Sequence, residues 1–300
     1  MLKDFSTIIE CARGLGAAIM AVAVAEDAEV IEAVRGACDL GLAQAILVGN
    51  RDKILSLAGP AGLPEGSRII DVPSAPAAAL EAARLVRSGE AGLLMKGAIN
   101  TSDFLRAVLD PEKGLRAGGL LSHMSALEIP GEPKLLFHSD CGMNIAPDLE
   151  DKKKILANAL DALRRLGVAE PKVAILAANE QVSPKALATV DAKAIADAWK
   201  AGEFPHCVVE GPIAMDVATS AEAALRKGIK SAIAGETDLF IMPSLEAGNI
   251  AAKILMRYAG ARMAGLVLGA ARPIVLVSRS DDAAAKIHSI ALACLIAGNR

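Results

Sequence analysis

The chain has 300 residues, 53% of them hydrophobic but only 2% aromatic, and a net charge of −3, so its core must be built from Ala, Val, Ile, Leu and Met, and its length predicts two α/β lobes. Lys and Arg are scattered, and Trp199 and Tyr258 offer few stacking platforms, which excludes a nucleic-acid footprint. Mean hydropathy is +0.40, yet the longest run without a charged side chain is thirteen residues, 287–299, against the ~20 of a spanning helix.

The start Met1-Leu2-Lys3-Asp4 lacks the layout of a signal peptide. Five cysteines are odd in number, widely spaced and never in a CxxC pair. They predict reduced thiols in a soluble, cytoplasmic protein rather than zinc or a disulfide framework. The run Lys152-Lys153-Lys154 follows Glu150-Asp151 in a helical pattern and reads as a solvated face.

In chain order, the apolar run 17–24 predicts a strand, Glu26-Asp27 open a helix through Leu40, Gly41 ends it, and 45–48 is a second strand. This is a βαβ unit whose continuous apolar strands fit a parallel sheet covered on both faces. Further strands are predicted at 92–95, 134–137, 173–177, 207–209, 239–242, 264–268 and 274–277, with helical patterns between most of them, including 150–166 and 283–297. The fold class is therefore α/β. A change of character falls near Pro147, where a polar-faced helix begins after a loop-rich region. Whether the last strand and helix rejoin the first lobe is left open by pattern alone.

Ligands of open parallel sheets sit beyond the carboxyl ends of strands, where helix N-termini favour anions. After 92–95 comes Lys96-Gly97-Ala98-Ile99-Asn100-Thr101-Ser102-Asp103-Phe104-Leu105-Arg106. Thr101 or Ser102 can cap the next helix, and Arg106 is expected in its first turns, out of place there unless an anion is near; a salt bridge to Asp103 is the alternative. After 274–277 comes Ser278-Arg279-Ser280-Asp281-Asp282, where Arg279 either grips phosphate bidentately or neutralises the two aspartates. Gly248-Asn249 follows 239–242 and is a cleft feature or only a turn. Glu210 and Asp216 follow 207–209, and Asn179-Glu180 follow 173–177. Five strand ends decorated alike predict a binding cleft.

There is no Walker A sequence, no GxSxG elbow and no HExxH pair, and Gly14-Leu15-Gly16 precedes a strand where a dinucleotide fingerprint follows one. His123, beside a Gly-Gly turn, faces a cleft or is structural.

The segments Ala23-Val24-Ala25-Glu26-Asp27, Lys96-Gly97 with Thr101 to Arg106, Leu121-Ser122-His123, Pro171-Lys172-Val173-Ala174, Glu210-Gly211-Pro212-Ile213-Ala214-Met215-Asp216, Pro243 to Asn249 and Pro273 to Asp281 together resemble the phosphate acetyl/butyryltransferase family over essentially the whole chain. The pattern is nearest its butyryl branch. It also resembles the acyltransferase half of enoyl-CoA hydratase/phosphate acetyltransferase fusions, with no hydratase half. The resemblance implies two lobes with mostly parallel sheets flanked by helices, isopropylmalate-dehydrogenase-like, with the active cleft between them. The first lobe would be 1–146 plus 273–300, and the second, 147–272, would form a homodimer or higher homo-oligomer.

The implied reaction converts acyl-CoA and phosphate to acyl phosphate and CoA by direct attack in a ternary complex, with CoA a substrate and no metal or cofactor. Ser278, Arg279, Arg106 and Asp216 are the implied catalytic residues. Lys96, Asn100, Thr101, Ser122, His123, Gly248 and Asn249 are implied in binding phosphate or CoA. Acetyl-type members carry an aspartate seven residues after the serine, where this chain has Ala285. Asp216 first, then Asp281 and His123, are the candidates for its role. The alternatives are a metal- and NAD-dependent dehydrogenase of the same fold, or a non-catalytic CoA-binding subunit.

Overall fold

The computed structural model describes residues 2–276, 278 and 281–298. They form two compact units, a flanking unit of Asp4–Gly119 with Met263–Arg300 and a middle unit of Met1–Lys3 with Leu120–Arg262.

The flanking unit opens with helix α1 (Phe5–Gly14), capped by Asp4, and alternates β1 (Ala18–Ala23), α2 (Ala28–Asp39), β2 (Ala43–Gly49), α3 (Arg51–Ala58), β3 (Arg68–Asp71), α4 (Ala75–Arg87), β4 (Leu93–Lys96) and α5 (Thr101–Val108). The apolar run of β1 is wanted because the strand pairs in parallel with β2 on one side and β4 on the other, a position that leaves neither face to water. Asp27 fixes where α2 begins by accepting the Val30 N–H at 3.0 Å, and Gly41, at φ 71°, lets the chain turn out of it. Alanines supply much of the packing: α4 buries Ala78, Ala79, Ala82 and Ala83.

The middle unit contains β5 (Ser122–Glu128), β6 (Leu136–Ser139), α6 (Leu149–Arg165), β7 (Lys172–Leu176), α7 (Leu187–Lys200), β8 (Val208–Ile213), α8 (Met215–Thr219), α9 (Ala221–Arg226), β9 (Leu239–Ile241) and α10 (Leu245–Tyr258). Its strand order is β5-β6-β9-β7-β8, parallel except for the β5–β6 hairpin. Leu136, Ala174, Leu176, Ile213, Val217, Phe240 and Met242 form one buried cluster of this unit.

The chain then adds β10 (Arg262–Leu268), β11 (Ile274–Val275) and α11 (Ala283–Gly298). In the flanking unit the order is β3-β2-β1-β4-β11-β10, with β11 parallel to β4 and antiparallel to β10. Helix α11 is buried on nearly every side, and its His288 ring stacks on Phe5 of α1 at 4.2 Å. The α/β class and the parallel, helix-flanked sheets expected from the sequence are what the chain forms.

The unit bounds differ from 1–146 plus 273–300 and 147–272. Residues 120–146 carry β5 and β6, and β6 pairs with β9 of the middle unit. Residues 263–272 include most of β10, which pairs with β11. Among the described residues, no helix is long and apolar enough to cross a membrane.

Candidate active site

In the flanking unit, the carboxyl ends of β1, β4 and β11 surround a cavity of about 180 Å³ lined by Asp27, Val30, Lys96, Gly97, Ala98, Ser278 and Lys286. The β1 and β4 loops are joined by main-chain bonds, Gly97 N to Ala23 O at 2.9 Å and Ala98 N to Val24 O at 2.7 Å. Only glycine allows this approach, since a Cβ at 97 would lie 2.2 Å from Val24 O. Val24 itself has φ 58°, a left-handed conformation that a β-branched residue adopts only when its surroundings impose it.

Lys96 and Lys286 are 7% and 4% exposed. Lys96 Nζ donates to its neighbour's carbonyl, Gly97 O, at 3.5 Å. Lys286 Nζ donates to the carbonyl of Asp281, while the Asp281 carboxylate accepts the Ser278 N–H at 2.8 Å. Asp282 caps α11 through the Ala285 N–H at 2.8 Å. Of the residues expected from sequence, Lys96 and Ser278 thus line one cavity. Arg279 lies outside the described residues.

Asn100, Thr101 and Arg106 sit together at α5 and are not among the residues lining that cavity. Asn100 caps the helix by accepting the Asp103 N–H at 2.8 Å, and it also accepts the Ser102 hydroxyl. Bonds from Asn100 first and Arg106 second hold the Asp103 carboxyl below its usual pKa. Arg106 was expected in the first turns. The helix stops at Val108, so Arg106 falls in its last turn, where the dipole favours a cation, and it pairs with Asp103 with 75% of its side chain exposed.

In the middle unit, Ser122 and His123 begin β5. The hairpin register, Met124 opposite Ser139, puts them at the carboxyl end of β6. Asp140, 2% exposed, accepts from the N–H groups of His123 (3.1 Å), Gly142 (2.7 Å) and Met143 (2.8 Å) and from Asn144 Nδ2 (2.6 Å). Cys141 Sγ lies 3.3 Å from His123 Nδ1 and 3.1 Å from Ser125 Oγ. Asn158 of α6 donates to Ser122 Oγ at 3.0 Å. Gly248 and Asn249 are in the first turns of α10, not a free turn. A Cβ at 248 would lie 2.6 Å from Asp140 O, and Asn249 Nδ2 donates to Cys141 O at 3.3 Å. Ser122, His123, Gly248 and Asn249 therefore gather around Asp140-Cys141.

Asp216 stands apart from that group. It begins α8 beyond β8, four strand positions from β5, or roughly 19 Å at ~4.8 Å per strand. Lys227 lies 2.9 Å from its carboxylate and 3.4 Å from Glu180, and the Lys227 bond pulls the Asp216 pKa down.

Sequence reasoning passed over Asp140, Asn158 and Lys286. Asp140 follows an apolar strand directly, the same signal that drew attention to Lys96. Lys286 was hidden because the helical pattern at 283–297 does not show that α11 is buried on nearly every side. Among the described residues, no three His, Cys, Asp or Glu side chains group as a metal site needs.

The flanking unit thus brings the buried ammonium groups of Lys96 and Lys286 to the same cavity as Ser278. Residues 71–294 match the family described as phosphate acetyl/butaryl transferase. The chain is 41% identical over 301 residues to a phosphate butyryltransferase of Clostridium acetobutylicum, covering 100% of both chains. It is 40% identical over 299 residues to a phosphate acetyltransferase of Rhizobium meliloti, covering 99% of this chain and 95% of that one. The crystal structure of a branched-chain phosphotransacylase from Enterococcus faecalis V583 matches with a TM-score of 0.84 at 30% identity, over 93% of this chain and 99% of that one. The chain belongs to the phosphate acetyl/butyryltransferase family, whose members are acyltransferases.

Proposed function

We propose that the protein transfers a short acyl group from coenzyme A to inorganic phosphate. The observation that carries this is the match to a phosphate butyryltransferase along the entire chain, and the cation-lined cavity beside Ser278 agrees with it. A hydrogen-phosphate oxygen attacks the thioester carbonyl. The new C–O bond forms, the C–S bond breaks, and the phosphate proton ends on the CoA sulfur. Attack is direct, in a complex holding both substrates. Ser278 sits near the thioester, and Arg279 and Arg106 hold phosphate or CoA charge. Lys96, Asn100, Thr101, Ser122, His123, Gly248 and Asn249 contribute to the two substrate subsites.

The position after Ser278 at which acetyl-type relatives would carry a carboxylate is Ala285, 8% exposed. Phosphate is already partly dianionic near pH 7, so alignment and oxyanion stabilisation supply most of the acceleration here. Asp216, tied to Lys227, fits a structural role better than that of a base. CoA is a substrate and not a resident cofactor. The protein works as a homo-oligomer, and its five unpaired thiols suit the reducing cytoplasm.

The test is thiol release from acetyl-CoA, butyryl-CoA and a branched acyl-CoA, with and without phosphate. Phosphate-dependent release is expected, undiminished by EDTA. Tight CoA binding without release would identify a non-catalytic subunit, and activity lost in EDTA and restored by a divalent ion would overturn the metal-free mechanism.

A further inference from the structure

In the middle unit, Ser125, Cys141 and His123 form a chain of contacts largely closed off from water. Ser125 is 1% exposed, Cys141 4% and His123 7%. Ser125 Oγ lies 3.1 Å from Cys141 Sγ, which in turn lies 3.3 Å from His123 Nδ1. The direction of the protons along this chain follows from counting donors. A hydroxyl and a thiol each bring one proton, and a neutral imidazole carries one on either nitrogen. Among the described residues, the Ser125 hydroxyl has Cys141 Sγ as its hydrogen-bond partner, and a buried donor left unmet is costly. Ser125 therefore donates to the sulfur. The Cys141 thiol then faces His123 Nδ1 at 3.3 Å, against the carbonyls of His138 and His123 at 3.9 and 4.0 Å. Donating to Nδ1 takes the shortest of these and leaves no donor of the chain unmet. The opposite arrangement, with Nδ1–H towards the sulfur, puts two donors on one weak acceptor and stretches the thiol's own bond. The residue itself is held in place. Its N–H donates to Asp140 at 3.1 Å, and Gly142 lies so near that a Cβ there would be 3.0 Å from His123 Cγ.

We propose that Cys141, oriented by Ser125, is a positioning residue that fixes His123 as the tautomer protonated on Nε2. Which nitrogen of an imidazole carries the proton is set by the hydrogen bond that the other makes. With its Nδ1 lone pair turned to the thiol, His123 is a hydrogen-bond donor and not a base. It therefore does not replace the carboxylate absent at Ala285, a role for which the sequence left it among the candidates. That His123 donates to a substrate oxygen rests on the acyltransferase reading, whereas the tautomer does not.

The tautomer is read on the full-length protein, labelled with heavy nitrogen, by proton–nitrogen correlation of the imidazole rings at neutral pH. The chain has only 4 histidines, and His123→Gln identifies the signals of His123 by their loss. The wild type is expected to show a protonated Nε2 and a bare, hydrogen-bonded Nδ1. Cys141→Ser keeps a donor and should retain that pattern. Cys141→Ala removes the donor, so Nδ1 should move to its unbonded position and the Nδ1–H form should appear. In phosphate-dependent thiol release, one lost hydrogen bond predicts a kcat/KM roughly two- to tenfold lower in Cys141→Ala, with Cys141→Ser recovering part of it.

A wild type with its proton on Nδ1 overturns the proposal, as do ring signals unchanged in Cys141→Ala. An unchanged kcat/KM in that variant overturns the positioning role. Should Cys141→Ala fail to fold, the wild-type spectrum alone decides between the two tautomers. A wild type that shows the expected tautomer but releases no CoA sinks the acyltransferase reading alone.

Discussion

His138, on β6, has no exposed surface and neither ring nitrogen has a hydrogen-bond partner. Its ring meets Phe240 edge-on at 5.3 Å. Burial pushes its pKa down to about 4, whereas in the unfolded chain it titrates near ~6.5. Between those values the unfolded state binds a proton that the folded state refuses, so the stability His138 allows is complete above ~6.5 and is lost as pH falls towards 4. The gap corresponds to roughly 3 kcal/mol by pH 4, at ~1.4 kcal/mol per unit. His138→Leu is therefore expected to shrink the drop in unfolding free energy between pH 7 and pH 4 by about that amount, as read by urea titration at both. An equally steep acid limb in the variant would assign the loss to other groups.

Asp140 shows how one side chain organises an element boundary. Four donors from the start of β5, the loop after β6 and Asn144 converge on its carboxylate. Asp140→Ala leaves them to water, at ~1–3 kcal/mol for each that stays buried and unmet. We expect a loss on the order of 3 kcal/mol or more in unfolding free energy, with Asp140→Asn intermediate because it keeps one acceptor but turns an NH₂ towards donors. An unchanged urea midpoint in the alanine variant would show that water fills the role. The same boundary marks the limit of what the sequence discloses. Strands β1, β2, β4, β7, β9 and β10 were legible as apolar runs, because strands covered on both faces leave that imprint. Strand β5 was not, because it opens Ser122-His123-Met124-Ser125 and its polar side chains are buried against Asn158 and Cys141, partners distant in sequence. Strand β3 was also missed, a short edge strand with both ends exposed. The strand-end rule found Lys96, Ser278 and the Gly248-Asn249 turn of helix. It placed Arg106 in the first rather than the last turn of α5, because no local signal gives the length of that helix, and it could not find Lys286 because the burial of α11 on nearly all sides is a tertiary fact.

At the scale of the whole molecule, the homo-oligomer proposed above has a candidate seam on α10. Ile250, Ile254 and Tyr258 are 57%, 51% and 84% exposed, and steps of four place them on one face with a drift of only ~40° per step. The opposite side of the same helix buries Gly248 and Ala252. An apolar stripe of this kind is self-complementary when two copies meet about a two-fold axis, since each residue of one helix then faces its counterpart's neighbours. The occupant we commit to is a second copy of this chain. Ile254 lies mid-stripe, so Ile254→Asp would place two carboxylates in apolar surroundings for every dimer formed, and burying an unpaired charge is disfavoured by several kcal/mol. Light scattering coupled to size exclusion should give a dimer or larger for the wild type and a monomer for Ile254→Asp. Circular dichroism should be unchanged, because the side chain is half exposed and leaves the core intact. A monomeric wild type would remove the oligomer altogether. A variant that stays dimeric would move the interface away from α10.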